Sequence, residues 1–460
     1  MAILGEMITP RSVSWVVAGT LLAAYSTLSV HRHRRMESTG YDLGIFEQGV
    51  RGYAHFRAPV AELKGPGFNL LGDHFHPVIA VIGPLYRLFP SPVTLLVVQS
   101  ALLALSAVPV TRLWADRHGV RAGTCVGLGY GLAWGLQRAA VFDFHEIAFA
   151  VPLVARCVVL LAEGRDRAAA AWAVPLLLVK EDQALIVAAV GVLLFRRGER
   201  KVGAFLVLLA VTVAAAVTLV VIPAFNPDDS YKYFGVTEPD SDNPLLRLVT
   251  PVATKGLTVL ALLAPTLFLG LRSPLALLLV PTLLARFWTS NPFLWGTGFH
   301  YSAVLMPIVF VAALDGLRRV RESGLPDRLA HGITKVAPIA IVTAALVPTL
   351  IGAQPLSRLM DPSYGRVPSR VGAAKAILAV IPDGADVAAS NHVAPQLTGR
   401  CRVFKLAPAA LALRPEWAVS EDPGPAVAGS GEGMTAPGLA GWGYRPVARG
   451  GGITLHRLRV

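Results

Sequence analysis

Charged side chains are scarce in this chain. They make up 15% of its residues, against about 25% in soluble globular proteins. Hydrophobic residues make up 54%, and the mean hydropathy is +0.55. In water, so much apolar side chain would leave too little polar surface to cover the core. The composition therefore excludes an ordinary soluble protein and predicts an integral membrane protein.

Cysteine is also scarce, and several familiar motifs are missing. Cys125 and Cys157 lie inside apolar runs, and Cys401 lies near the C-terminus. Their spacing fits neither a metal site nor a disulfide framework, so we predict that they are packing residues. The sequence contains no P-loop, dinucleotide fingerprint, H-E-x-x-H motif or nucleophile elbow. None of the chemistries that those motifs carry is therefore indicated.

The net charge of +13 does not indicate nucleic-acid binding. The arginines cluster in short loops between apolar runs, as the signals that orient membrane helices do. No stretch interleaves aromatic and basic residues, as single-strand binding requires. The lipid bilayer is the partner that this charge distribution predicts, and nucleic acid is not.

Apolar runs alternate with polar loops over most of the chain. A membrane-spanning helix needs roughly 20 mostly apolar residues, and we predict about eleven of them. The predicted spans are 13–30, 93–113, 121–140, 147–162, 168–179, 183–195, 202–222, 254–272, 274–288, 300–317 and 332–351. Residues 77–90 are apolar but too short to cross, which predicts a re-entrant or interfacial helix.

Basic residues predict the orientation of these helices. They occur in alternate loops, at 117–121, 165–167, 196–201 and 318–328. Cytoplasmic loops are enriched in Lys and Arg, so the N-terminus is predicted to lie in the cytoplasm. The basic run at 31–35 breaks this rule, and lipid headgroups or an anionic ligand would account for it.

Two domains are predicted. Residues 1–352 form a multi-pass all-α membrane domain with outer loops at 31–76 and 223–253. Residues 353–460 lack long apolar runs and form a small extracytoplasmic α/β domain. Its predicted elements are a helix at 369–381, strands at 385–390, 402–406, 416–422 and 452–460, and a loop at 423–438.

The predicted topology gathers unusual polar residues on the outer side. Ionisable groups at membrane depth are costly, which makes them functional candidates. The candidates for substrate contact are Asp73, His74, His76, Arg138, Asp143, His145, Glu146, Lys180, Glu181, Asp182, Arg286, His300 and Tyr301. Asp42 follows the first helix and can act as a general base, because a carboxylate near a hydroxyl can take its proton during transfer.

Each of these groups also has a purely structural interpretation. Asp42 and Asp143 can be helix N-caps, and residues 180–182 can form a solvated turn whose charges cancel. Trp288, Trp295 and Tyr301 suit a bilayer interface.

A divalent metal is a further possibility. Asp73, His74 and His76 are ligand-type side chains that can hold such an ion or a phosphate. Neighbouring residues on one backbone rarely aim at the same ion, so a polar hydrogen-bonding role is the alternative.

Several segments together resemble a bacterial multi-pass membrane family known as domain of unknown function 2079. The segments are YDLGIFEQG at 41–49, GDHFHPVIAVIGPLYRLFPSPVTLLVVQSALL at 72–103, FDFHE at 142–146, LLVKEDQAL at 177–185, HYSAVLMPIVFVAALDGLRR at 300–319 and AILAVIPDGADVAASNHVAPQLTGR at 376–400. The resemblance covers nearly the whole chain, and the family name implies no activity.

A more distant resemblance is to the GT-C glycosyltransferases, which use polyprenyl-phosphate sugars. Those enzymes carry a catalytic acidic residue in the first outer loop, which implies that role for Asp42. Their bacterial members have a Leu-rich segment ending in Lys, to which LLLVKED at 176–182 is similar. This chain differs from them in having no second acidic residue beside Asp42.

These observations favour a membrane glycosyltransferase with a GT-C-like fold. It would transfer a hexose or pentose from a polyprenyl-phosphate donor to an envelope glycan acceptor on the outer face of the membrane. Lys180 and Arg138 would face the lipid phosphate, because cations stabilise the charge that it gains on departure. The alternatives are a transporter or lipid flippase, whose path intramembrane charges would line, and a non-catalytic envelope protein that binds through its C-terminal domain.

Overall fold

The computed structural model describes residues 9–234, 244–422 and 436–459. Helices dominate up to residue 378, and a sheet follows. The helices are α1 (Pro10–Arg34), α2 (Ile45–Ala54), α3 (Gly83–Leu88), α4 (Pro92–His118), α5 (Val120–Gly131), α6 (Trp134–Val141), α7 (Ala150–Ala162), α8 (Asp166–Ala173), α9 (Ala184–Arg196), α10 (Arg200–Ala216), α11 (Ile222–Phe225), α12 (Pro244–Val249), α13 (Val252–Leu263), α14 (Val280–Trp288), α15 (Met306–Arg321), α16 (Asp327–Leu350), α17 (Ser369–Leu378), α18 (Pro408–Leu411) and α19 (Ala436–Gly441).

Four helical segments of the described chain are long and apolar enough to cross a membrane. They are Pro10–Arg34, Pro92–His118, Arg200–Phe225 and Asp327–Leu350. Other predicted spans are interrupted: the run at 121–140 divides into α5 and α6, and the run at 300–317 begins as a 3₁₀ helix before α15. The prediction of a multi-pass helical protein is confirmed in this coarser form, whereas the count of eleven stays a prediction.

The segment Arg200–Phe225 has the character of a lipid-facing helix. Only 28% of its most apolar window is buried inside the protein. Phe205, Leu208 and Val211 are exposed on it. Such a continuous apolar surface is unfavourable in water but stable against lipid chains, so this helix belongs at the periphery of the membrane domain.

Aromatic side chains with polar tips join the first helices to the rest of the bundle. Tyr25 on α1 is fully buried and donates its hydroxyl hydrogen bond to the carbonyl of Gly131. Trp114 on α4 donates its indole N–H to the carbonyl of Phe310 at 3.2 Å. Buried Tyr and Trp need such partners, because an unpaired polar tip in an apolar interior is costly. These contacts hold α1 and α4 in place, and both helices lead into the candidate site.

Residues 77–88 form two short helical pieces, a 3₁₀ helix at Pro77–Ile82 and then α3. Together they are too short to cross a bilayer. Val81, Leu85 and Leu88 are exposed on them. The length agrees with the predicted interfacial helix, and its position along the membrane surface stays a prediction.

The C-terminal residues form a five-stranded mixed sheet. Its strands are β1 (Asp386–Ala389), β2 (Arg402–Lys405), β3 (Trp417–Glu421), β4 (Tyr444–Gly450) and β5 (Ile453–Leu458), in the spatial order β2-β1-β3-β5-β4. β1 pairs in parallel with β2 and β3, whereas β5 pairs antiparallel with β3 and β4. The four predicted strands and the helix at α17 are confirmed.

β4 is the strand that the sequence analysis missed. Its sequence contains Pro446, where the register with β5 shifts before Ala448. Proline cannot donate a ladder hydrogen bond, so it is confined to edge strands and bulges, and β4 is an edge strand. The predicted loop at 423–438 lies outside the described residues up to 435, and its last residues begin α19.

The sheet packs on the loop that follows α1. Met36, Ile45 and Leu63 share one buried cluster with residues of the sheet, such as Val387 and Val403. The backbone N–H of Gly40 donates to the carbonyl of Asn391 at 2.7 Å. A Cβ at Gly40 would lie 2.7 Å from the Cβ of Ala394, so only glycine permits this close approach.

Candidate functional site

Three polar side-chain contacts, linked by residues that are neighbours in sequence, form a chain of contacts between four segments. Nε2 of His145 lies 3.3 Å from Oδ1 of Asp42. Next to His145, Glu146 forms an ion pair of 2.9 Å with Nζ of Lys180. Next to Lys180, Glu181 accepts from Nδ1 of His74 at 2.6 Å. The first outer loop of the predicted topology thus meets the 143–146 and 180–182 turns at one place.

Asp42 lies in a short π-helical turn, Gly40–Gly44, that leads into α2. Oγ1 of Thr39 lies 3.0 Å from its Oδ2. Burial alone would raise the pKa of the Asp42 carboxyl, but hydrogen bonding and the charge of His145, together with Thr39 and Arg32, hold that pKa below its ordinary value. Asp42 is therefore ionised at neutral pH. It caps no helix, since the residue before α2 is Gly44.

Asp143 supports the turn that carries Asp42. Its backbone is left-handed, with φ of 66°, a conformation that Asp tolerates better than most residues. Its Oδ1 accepts from Nη1 of Arg32 at 2.5 Å, and its Oδ2 accepts from the backbone N–H of Thr39 at 2.9 Å. The N-cap of the following 3₁₀ helix is His145, so the alternative interpretation of Asp143 as a helix cap is wrong.

Glu146 and Lys180 form a buried ion pair. The side chain of Glu146 is 1% exposed and that of Lys180 is 16% exposed. Burial opposes the charged form of Glu146, but Lys180, its strongest partner, holds the pKa of the carboxyl far below the ordinary value. Lys180 is thus paired and largely withdrawn from water, which rules out a solvated turn for this residue.

Glu181 joins the loop at 73–75 to the Lys180 turn. Besides His74, it accepts from the backbone N–H of Phe75 at 3.0 Å and from the hydroxyl of Tyr231 at 3.1 Å. The neighbouring Asp182 is exposed and accepts from Nε2 of Gln183 at 2.9 Å. The loop that begins at 223 therefore contacts the site through Tyr231.

Aromatic rings and one arginine pack beside His145. His300 stacks on His145 with ring centroids 3.8 Å apart, and Tyr301 lies 4.2 Å from His300. Arg286 on α14 donates to the carbonyl of Leu294 and, at 3.0 Å, to Oγ of Ser302. No carboxylate of the described residues lies within ion-pair distance of this buried guanidinium. Carbonyl and hydroxyl dipoles meet its positive charge at short range, and the carboxyl of Asp182 acts on it from a greater distance.

Arg138 does not join this cluster. Its Nη2 lies 3.5 Å from the carbonyl of Ala353, and the positive charge of Arg358 lies nearby. The sequence placed Arg138 near Asp143, but α6 ends at Val141, and the side chain lies on the face of α6 that meets the segment after α16.

The predicted metal ligands do not converge. Asp73 forms an ion pair of 2.7 Å with Lys64 and accepts from Tyr233, whereas His74 binds Glu181. Within the described ranges no group of three His, Cys, Asp or Glu residues has metal-binding geometry. The residues therefore do not fit a preformed divalent-metal site, and no metal enters the chemistry below.

Several buried polar atoms at the site have no hydrogen-bond partner among the described residues. They are Nδ1 of His76, His145 and His300, Oε2 of Glu146 and Oε1 of Gln183. Unpaired buried polar atoms are rare because each costs about 1–3 kcal/mol. These five atoms could hydrogen-bond a polar molecule that binds beside the ion pairs.

Three supporting residues were not among the sequence candidates. Gln99 on α4 accepts from the backbone N–H of His145 at 2.8 Å and donates to the carbonyls of Ala139 and Asp143. The sequence feature that could have identified Gln99 is the presence of a glutamine within an apolar run. Arg32 had a signal too, since its basic run broke the topology rule, whereas nothing in the sequence distinguished Thr39.

Glu47 on α2 joins α3 to the segment between β1 and β2. It is fully buried, accepts from the hydroxyl of Tyr86 at 2.8 Å, and also accepts from the hydroxyl of Thr398. Burial raises the pKa of this carboxyl to about 7, although both hydrogen bonds and the charge of Arg51 oppose the rise. Glu47 lies in the loop outside the membrane-spanning segments.

We expect Glu47 to make folding stability depend on pH. Because its folded-state pKa lies above the ordinary value of 4.5, the folded protein holds the proton more tightly than the unfolded chain. This stabilisation is complete below about pH 4.5 and is lost as the pH rises through about 7, with a total of roughly 3 kcal/mol. Thermal unfolding of the detergent-solubilised full chain should therefore show a falling Tm over this window.

Glu47→Gln should flatten that part of the pH profile, since the amide cannot ionise. The exposed Glu322, changed to Gln in the same way, provides the matched control and should leave the profile unchanged. Identical profiles for Glu47→Gln and wild type would contradict the assignment.

Comparisons with known proteins agree with this architecture. A family model described as "Predicted membrane protein (DUF2079)" matches residues 32–423. The crystal structure of ArnT from Cupriavidus metallidurans bound to undecaprenyl phosphate is similar, with a TM-score of 0.53 and 14% sequence identity, over 96% of this chain and 97% of that one. At this identity the likeness shows the fold alone. No curated protein matches the sequence.

Proposed function

We propose that this chain, which belongs to the DUF2079 family of predicted membrane proteins, is a glycosyltransferase. The family description names no activity, so the proposal is argued from the site. It would transfer a sugar from a polyprenyl-phosphate donor to an envelope glycan acceptor. The observation that carries the proposal is the chain of contacts Asp42–His145, Glu146–Lys180 and Glu181–His74.

The fold supports a lipid-phosphate donor. The chain has the fold of ArnT, and the ArnT structure contains undecaprenyl phosphate. Here the apolar surface of Arg200–Phe225 offers a place for a polyprenyl chain, and Tyr231, shortly after that helix, reaches the polar cluster. A donor whose lipid tail lay against this helix and whose phosphate lay at the polar cluster would contact both places. In the predicted topology this cluster faces the outside of the plasma membrane, with the N-terminus inside.

Asp42 is the proposed base. It is the most accessible carboxylate of the contact chain, with its side chain 29% exposed, against 1% for Glu146 and 4% for Glu181. In the reaction the acceptor hydroxyl oxygen attacks the anomeric carbon, and the bond from that carbon to the phosphate oxygen breaks. The attacking hydroxyl becomes strongly acidic as the new bond forms, so even a carboxylate of low pKa can accept its proton.

The leaving phosphate gains negative charge as the sugar departs. Arg286 is a buried cation with no carboxylate of the described residues within ion-pair distance, and Lys180, paired with Glu146, is the second cation of the cluster. Preorganised cations in a water-poor site stabilise such developing charge strongly. Arg286 takes the role that the sequence assigned to Arg138, which lies against Ala353 instead.

The test is a transfer assay with the full chain in proteoliposomes. Radiolabelled polyprenyl-phosphate hexose and pentose donors are supplied with an envelope glycan extract. We expect the label to move from the lipid to the glycan. Label that crosses the bilayer while still attached to the lipid would instead identify a flippase, and label that neither moves nor transfers would favour a non-catalytic envelope protein.

A further inference from the structure

A cavity lies apart from the acidic and histidine cluster. It has a volume of about 620 Å³ and lies between α2 and the edge strand β2. Gln48, Arg51 and His55 line it from one face of α2, as their spacing of three and four residues requires. Arg57 from the next turn and Arg402 at the start of β2 complete the wall.

The cavity is basic. Three arginines face a single carboxylate, Glu62, which forms an ion pair of 2.8 Å with Arg402. Nη1 of Arg51 is fixed at 3.0 Å from the carbonyls of Thr398 and Cys401, while its Nε and Nη2 donate to no described residue. The Arg57 side chain is exposed and forms no ion pair with the described residues. The wall therefore presents oriented donors with net positive charge.

Apolar side chains adjoin this basic wall. Phe56, between His55 and Arg57, is 88% exposed, and the guanidinium of Arg87 lies 5.4 Å from its ring centroid. Leu88 and Phe89, at the end of α3, are 73% and 62% exposed. Exposed aromatic and aliphatic groups next to arginines are typical of protein surfaces at the level of lipid headgroups.

We propose that this cavity binds the phosphate of an anionic phospholipid, with Arg51 and Arg57 on the phosphate and Phe56 against the first carbons of the acyl chains. Such a site would fix the α2 loop and the C-terminal sheet against the membrane surface. The proposal is independent of sugar transfer, because no residue that lines the cavity belongs to the contacts among Asp42, His145, Glu146, Lys180, Glu181 and His74.

The test measures lipid binding to the detergent-solubilised full chain by native mass spectrometry. The probes are dioctanoyl phosphatidylglycerol, the zwitterionic dioctanoyl phosphatidylcholine, and glycerol 3-phosphate, which has no acyl chains. We expect phosphatidylglycerol to bind most tightly, and Arg57→Gln to weaken its binding about fivefold. Phe56→Ser should weaken the binding of phosphatidylglycerol and leave the binding of glycerol 3-phosphate unchanged.

Arg445→Gln is the matched control. Arg445 is an exposed arginine on β4, at the opposite edge of the sheet from β2. Its substitution should leave the binding of phosphatidylglycerol unchanged. Equal binding by the Arg57 and Arg445 variants would overturn the site. Glycerol 3-phosphate that bound as tightly as phosphatidylglycerol would overturn its assignment to a lipid.

Discussion

Replacing Asp42 with Asn should lower sugar transfer by about 100- to 10,000-fold, the range expected when a general base is removed. The amide keeps the size of the carboxylate, its oxygen can still accept from His145, and its NH2 can donate to the Thr39 hydroxyl, so the turn at Gly40–Gly44 should keep its shape. What it loses is the ability to take the acceptor proton. The measurement is the initial rate of label transfer in proteoliposomes at saturating donor.

The control for this substitution is Asp116→Asn. Asp116 is a half-exposed carboxylate near the end of α4, 3.7 Å from Arg112, and it has no contact with the cluster. We expect its transfer rate to equal that of the wild type. If Asp42→Asn also kept the full rate, Asp42 would not be the base.

Replacing Lys180 with Met should destabilise the protein by about 3–5 kcal/mol, because Glu146 would remain as a buried charge without its cation. The carboxylate is 1% exposed, so water cannot compensate. Its pKa, which Lys180 holds far below the ordinary value, would rise, and the stability of the variant would then improve as the pH falls. Thermal unfolding of the full chain at pH 5 and pH 8 measures both effects.

A double substitution separates the lost charge from the lost packing. Lys180→Met with Glu146→Gln removes both charges and should recover most of the lost stability, since buried ion pairs can be replaced by neutral groups at little cost. Arg112→Met breaks an exposed pair of 3.7 Å and should cost less than about 1 kcal/mol. A single Lys180 variant as stable as the Arg112 variant would argue against a buried, paired Lys180.

The sequence predicted which residues belong to the candidate site better than it predicted which of them contact each other. His145, Glu146, Lys180 and Glu181 were distinguishable because polar residues interrupt apolar runs only at a cost. Which of them pair was not predictable, since Lys180 has two acids next to it in sequence and yet pairs with Glu146. Arg138 shows the reverse case, because its neighbours in sequence join the cluster and it does not.

Hydropathy and residue spacing by themselves determined the membrane setting, the helical body and four strands of the C-terminal sheet, because these are properties of short stretches of chain. Only the tertiary structure decided that the sheet rests on α2 and the Asp42 turn, that β4 completes the sheet despite Pro446, and that one basic cavity adjoins Phe56. The physical reason is that a contact between distant segments depends on how whole helices pack, and that packing is a sum over many side chains that no local pattern contains.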